Sequence, residues 1–169
     1  MKLTGRTLKK RLYGMTILPG RLTRARYFRG HGVHSPFVYA IVRQVFMKRK
    51  FISDDHLLYE SLLGLHITTH RAMQLQNLYT HCGYTTFGIN QVACGLCVVT
   101  RELSADAVYA LVRAAAMDGT TLAVMSPYDG AERAAMCRNI IVGHASTTVD
   151  NRAYLLIFNN NLPKQHFRI

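Results

Sequence analysis

Read for hydrophobic spacing, the chain divides into an amino-terminal part with helical periodicity and a carboxyl-terminal part where short β-like runs alternate with helices. Phe37, Val38, Ile41, Val42, Val45 and Phe46 recur at helical spacing behind Ser35, a good N-cap, and Pro36, suited to the first helical position. Gly30 and Gly32 give this helix a flexible entry. A second helix is predicted from Ser53, with Asp54 and Asp55 in the first turn, where they meet the positive end of the helix dipole. It carries Leu57, Leu58, Leu62 and Leu63 and loosens at Gly64. A third, RAMQLQNLYTHCG (71 to 83), should stop at Gly83.

The period then changes. YTTFGIN, GLCVVT and TLAVMSP read as strands rich in β-branched and aromatic residues. Between the last two lies SADAVYALVRAAAMDG, a helix opened by Ser104 and stopped at Asp118-Gly119. Strand, helix and strand at this spacing form a βαβ unit with parallel strands. A further helix spans about 131 to 142, with Asp129 as cap and Gly143 as terminator. STTVDNRAYLLIF then predicts two strands joined by a turn at Asp150 to Arg152. Upstream, residues 1 to 18 can form a short basic helix with Leu3, Leu8, Leu12 and Met15 on one side, ending at Pro19-Gly20.

Composition agrees with a folded body: 49% of the 169 residues are hydrophobic, which excludes a disordered or fibrous chain. The length suits one core that buries about 70% of the unfolded surface. Charge changes the picture more. Residues 1 to 50 hold 13 Lys or Arg and no acid, whereas residues 51 to 169 hold 8 basic residues and all 9 acids. We therefore divide the chain into a basic arm, 1–29, and a single domain, 30–169. Arg21, Arg24, Arg26, Arg29, Lys48, Arg49 and Lys50 are candidates for polyanion binding; Tyr27 and Phe28 among the arginines suit stacking on bases, or equally burial on the body. No stretch approaches the roughly 18 apolar residues of a membrane span, and LYGMTILPG is too short and interrupted for a secretory signal, so a cytoplasmic location is expected.

Candidate chemistry is sparse. Cys94 and Cys97 form a CxxC, but no second ligand pair accompanies it and Cys97 falls in an apolar run, so buried structural thiols are expected and no metal site is assigned. His31 and His34 have no carboxylate or cysteine nearby in sequence, and a role in hydrogen bonding around the helix cap is expected. No Walker loop, nucleophile elbow or HExxH occurs, and the acids are dispersed. No catalytic residue is assigned.

GHGVHSPF ahead of an amphipathic helix, the segment GLCVVTRELSADAVYALVRAAAMDGTTLAVMSPYDG and the ending LPKQHFRI together resemble a bacterial family of class I S-adenosylmethionine-dependent methyltransferases, of the O-methyltransferase-like kind. The likeness runs over roughly Tyr27 to Ile169, with a large gap. It implies an α/β, Rossmann-like sheet shortened to about five strands, in family order 1-4-5-7-6, with the last strand pair antiparallel and helices at the amino terminus. In the family an acid and a glycine-rich turn follow the first strand; TTFGINQVACG keeps only Gly88 and Asn90 of that character. The family's later acids fall at about Thr100, Ser126 and Pro127, where this chain has no carboxylate.

The resemblance therefore implies a methyltransferase-like protein without catalytic activity or cofactor, retained for binding or assembly. One alternative is an active S-adenosylmethionine-dependent enzyme with a rebuilt pocket that uses Tyr84, Gly88, Asn90 and Tyr128. Another is a nucleic-acid-binding module that uses the basic amino-terminal residues, and a protein partner for that region is a further expectation.

Overall fold

A computed structural model describes residues 33–169. The basic arm, including Arg21, Arg24, Arg26 and Arg29, lies outside the described residues, as does His31. α1 (Pro36–Ile41) opens as the sequence predicts: the Ser35 hydroxyl accepts the Val38 N–H at 3.4 Å, and Pro36 follows the cap. The helix does not continue regularly. It widens into a π turn over Val42–Phe46, where the Met47 N–H reaches back to the Val42 carbonyl at 3.0 Å.

α2 (Leu57–Gly64) begins four residues after the expected start at Ser53. Two pairings divert the backbone: the Asp55 carboxylate accepts the Leu57 N–H at 3.0 Å, and the Ser53 hydroxyl pairs with that of Thr80 at 3.1 Å. Asp and Ser side chains offer the backbone such alternatives to helical bonding. α3 (Thr69–His81) starts two residues earlier than its apolar pattern indicates and ends at His81, with Cys82 as the cap and Gly83, whose φ is +69°, just beyond it.

The strands are β1 (Phe87–Ile89), β2 (Leu96–Val99), β3 (Thr121–Met125), β4 (Thr148–Asp150), β5 (Tyr154–Ile157) and β6 (His166–Arg168). α4 (Ala105–Asp118) joins β2 to β3, and the four residues 144–147 join α5 (Ala131–Gly143) to β4. α4 has the expected ends: the Ser104 hydroxyl accepts the Ala107 N–H at 3.3 Å, and Gly119 takes a left-handed φ of 73°. α5 does not: its cap position is Gly130, not Asp129.

The sheet order is β1-β2-β3-β5-β4-β6. β1, β2 and β3 run parallel, while β5 is antiparallel to both β3 and β4. There are thus six strands rather than about five, and the sheet does not end as expected. The carboxyl-terminal segment returns along β4 as a parallel edge strand. Bonds from Thr148 N–H to the Gln165 carbonyl (2.8 Å) and from Ile169 N–H to the Asp150 carbonyl (2.9 Å) hold it there. QHFRI is short and half polar, so its own pattern does not announce a strand; β4 supplies the pairing.

β2, β3 and β5 are buried along their whole length, as continuous apolar runs require when both faces are covered. Alternation then sorts the side chains. Leu96, Val98, Ala123, Met125, Tyr154 and Leu156 join the core beneath α1, α2 and α3. Cys97, Val99, Leu122, Val124, Leu155 and Ile157 join the core beneath α4 and α5. The result is three layers, helix, sheet and helix, and the carboxyl ends of the three parallel strands open at one end of the sheet. Among the described residues no helix is long and apolar enough to cross a membrane.

Candidate functional site

A cavity of about 830 Å³ lies where those carboxyl ends meet the α2–α3 connection and the β4–β5 turn. Ile89 and Asn90 enter it from β1, Thr100 from β2, Met125 and Ser126 from β3, and Ala153 from the start of β5. This is the crevice where open α/β sheets hold ligands, and the volume falls within the usual range for small-molecule sites.

The backbone around the cavity is unusual. His66, Asn90, Ser126 and Arg152 line it, and each has φ between 51° and 72°, the left-handed region that only glycine enters without cost. Particular bonds hold these conformations. The Asn90 amide donates to the Thr100 hydroxyl at 3.0 Å, and its carbonyl oxygen accepts the Thr100 N–H at 2.8 Å, which locks the ends of β1 and β2 together. The Asp150 carboxylate accepts the Arg152 N–H at 2.7 Å, and Asn151 accepts N–H groups from Ala153 and Tyr154, which fixes the β4–β5 turn. The Tyr128 hydroxyl donates to the buried Asp150 carboxylate.

Arg133, on α5, braces the same end of the sheet. Its guanidinium donates to the Met125 carbonyl (2.9 and 3.1 Å), the Thr100 carbonyl (3.1 Å) and the Arg101 carbonyl (3.3 Å). Burial lowers its pKa from the ordinary value, with acidic neighbours acting the other way; a guanidinium stays charged regardless. On the opposite wall, Arg71 donates to the Gln74 side chain at 2.8 Å, and Gln74 in turn donates to the Phe46 carbonyl at 3.2 Å. Arg101 pairs with Glu102 at 2.9 Å on the exposed rim.

Two of the residues singled out in the sequence, Asn90 and Tyr128, come together in the cavity; the other two do not. Tyr84 sits at the amino end of β1, with its hydroxyl 2.7 Å from that of Thr121 at the start of β3, and burial pushes its pKa up. It belongs to the far end of the sheet. Gly88 is buried within β1, and a Cβ there would lie 2.7 Å from the Gln91 carbonyl oxygen and 3.2 Å from the Cys94 sulfur. Its missing side chain makes room for the chain's own turn.

Lys48, Arg49 and Lys50 are exposed after the π turn. His34 is exposed beside the Ser35 cap. The four cysteines carry free thiols. Cys94 donates to the Leu96 carbonyl at 3.3 Å, and burial pushes the Cys97 and Cys137 thiols up to about 11, so neither is a thiolate near neutrality. Among the described residues no three His, Cys, Asp or Glu side chains gather as a metal site. Sequence reasoning missed Arg71, Arg133 and Gln74. Arg71 and Gln74 stand three apart on one helix, a spacing that brings side chains together, but nothing local marks their far partners. Comparison of the chain with protein-family models, with curated proteins and with solved structures returned no match.

Proposed function

We propose that this chain is a shortened, methyltransferase-like binding protein that does not transfer methyl groups. The packing of the turn after β1 carries this reading. In the family the sequence resembles, the backbone at the end of the first strand approaches the cofactor, which requires open space above glycine. Here Gln91 and Cys94 fill the space above Gly88. Further support comes from Thr100 and Ser126, which line the cavity at two positions where the resembled enzymes carry acids. Without those acids a methyl transfer assisted by a metal or a general base has no assigned ligand or base.

Calorimetric titration of the full chain with S-adenosylmethionine and with its demethylated product is expected to give no heat of binding. Micromolar affinity for either would overturn the proposal. It would instead favour an active enzyme with a rebuilt pocket, a reading supported by Asn90 and Tyr128 in the cavity wall. The exposed Lys48, Arg49 and Lys50 favour a second role, polyanion binding through the basic amino-terminal region, with nucleic acid as the natural partner.

A further inference from the structure

Three arginines reach the cavity from three separate segments: Arg71 from the first turn of α3, Arg101 from the loop after β2 and Arg152 from the β4–β5 turn. The α3 amino terminus adds to their field. Its cap residue, Thr68, also lines the cavity and makes no side-chain capping bond, and the first turn holds no acid to neutralise the positive end of the helix dipole. His70, in the same turn, has its pKa lowered first by burial and then by the charges of Arg71 and Arg49, as expected in positive surroundings. Glu102 and Asp129 are the two carboxylates in the lining, and Glu102 is engaged by Arg101. Ile67, Ile89, Met125 and Ala153 give the wall an apolar part, beside the polar Asn90, Thr100, Ser126 and Tyr128.

From the arginines converging on this partly apolar cavity we infer that it binds a small molecule with an oxyanion group, a phosphate or a carboxylate, on an apolar body. The inference rests on the cavity's being the binding site of the proposed function, and it adds the ligand's chemical class. Arg71 is the central contact: it is half-buried, so water competes less for its guanidinium than for that of the exposed Arg101. Charge-assisted bonds from guanidinium to an oxyanion are among the stronger polar contacts and are often bidentate.

Calorimetry on the full chain at fixed ionic strength, with inorganic pyrophosphate and with citrate as probes, tests the inference and separates phosphate from carboxylate preference. One of the two probes is expected to bind. Arg71→Gln should weaken that binding at least about tenfold and Arg101→Gln about threefold, the scale expected when one charge-assisted bond is removed at a half-buried or an exposed position. Arg138→Gln, the same charge change at an exposed position on α5, should leave it unaltered. Affinity unchanged in Arg71→Gln assigns the heat to the basic arm and overturns the inference, as does the absence of heat with both probes. If Arg71→Gln does not fold, Arg101→Gln carries the test, and unchanged affinity there has the same meaning. Heat with S-adenosylmethionine would defeat the proposed function and leave this result standing.

Discussion

Arg133 shows how one side chain can fix a site without entering it. Its fork spans carbonyls from the ends of β2 and β3, and a guanidinium is suited to this because its donors are held in a plane. An ammonium, with its donors on a single nitrogen, could not also reproduce the Nε and Nη1 bonds to the Met125 and Arg101 carbonyls. Arg133→Lys is therefore expected to cost about 1–2 kcal/mol, and Arg133→Ala, which takes the guanidinium from the part-buried Thr100 and Met125 carbonyls, about 2–4 kcal/mol. Urea midpoints read this directly, with the slope of the transition unchanged; a Lys variant as stable as the parent would show that the fork geometry does not matter. Nothing in the sequence marks this arginine, because its partners are backbone carbonyls between 8 and 33 positions away, delivered by the fold. Asn90 and Tyr128 were legible because a strand end and a strand-to-helix loop are where an α/β sheet presents its ligand groups. Gly88 was misleading for a physical reason: a glycine reports that something comes close, but not whether that is a ligand or the chain itself.

At the scale of elements, spacing identified most helices and strands, and the exceptions share a cause. α3 looks amphipathic and mostly polar in sequence, yet Gln74, Gln76 and Asn77 are buried. Each ties down the segment that crosses it. Gln76 accepts the Tyr59 N–H at 3.0 Å, while Asn77 accepts the Ile52 N–H at 3.2 Å and donates to the Lys50 carbonyl at 3.0 Å. These amides occupy the backbone groups of 50–59, which is one reason that the helix predicted from Ser53 gives way to an irregular connection. Periodicity cannot reveal this, since a buried amide and an exposed one look alike in sequence. Asn77→Ala should cost about 1–3 kcal/mol by leaving the Ile52 N–H and the Lys50 carbonyl unsatisfied. Asn77→Asp, which keeps the acceptor and loses the donor, should remain destabilised. Both can be measured by chemical denaturation, and a neutral Asn77→Ala would mean that water replaces the amide at no cost. β6 is the complementary exception: it becomes a strand because β4 offers an edge.

For the whole molecule, the separation of charge along the chain outlasts the details of any site. All the acids lie beyond residue 50, while 13 of the 21 basic residues precede Phe51. The end of this cationic stretch is structured: Lys48, Arg49 and Lys50 are exposed, and the Lys50 carbonyl is fixed to Asn77 on α3. A short cationic run anchored on a rigid helix presents its charges without the full entropic cost of ordering a free tail. If it acts with Arg21, Arg24, Arg26 and Arg29 on duplex DNA and about five phosphates are neutralised, log affinity should fall against log salt with a slope near −4.5. Replacing Lys48, Arg49 and Lys50 by Gln should then flatten the slope by up to about 2.7, roughly 0.9 for each phosphate left without its cation. Fluorescence anisotropy between about 50 and 200 mM salt resolves such a change, because affinity itself would move by orders of magnitude. A slope near zero would remove nucleic acid from consideration. A steep slope unaltered in the triple variant would place the phosphate-binding residues entirely in the first 29 positions and leave the anchored run without this role.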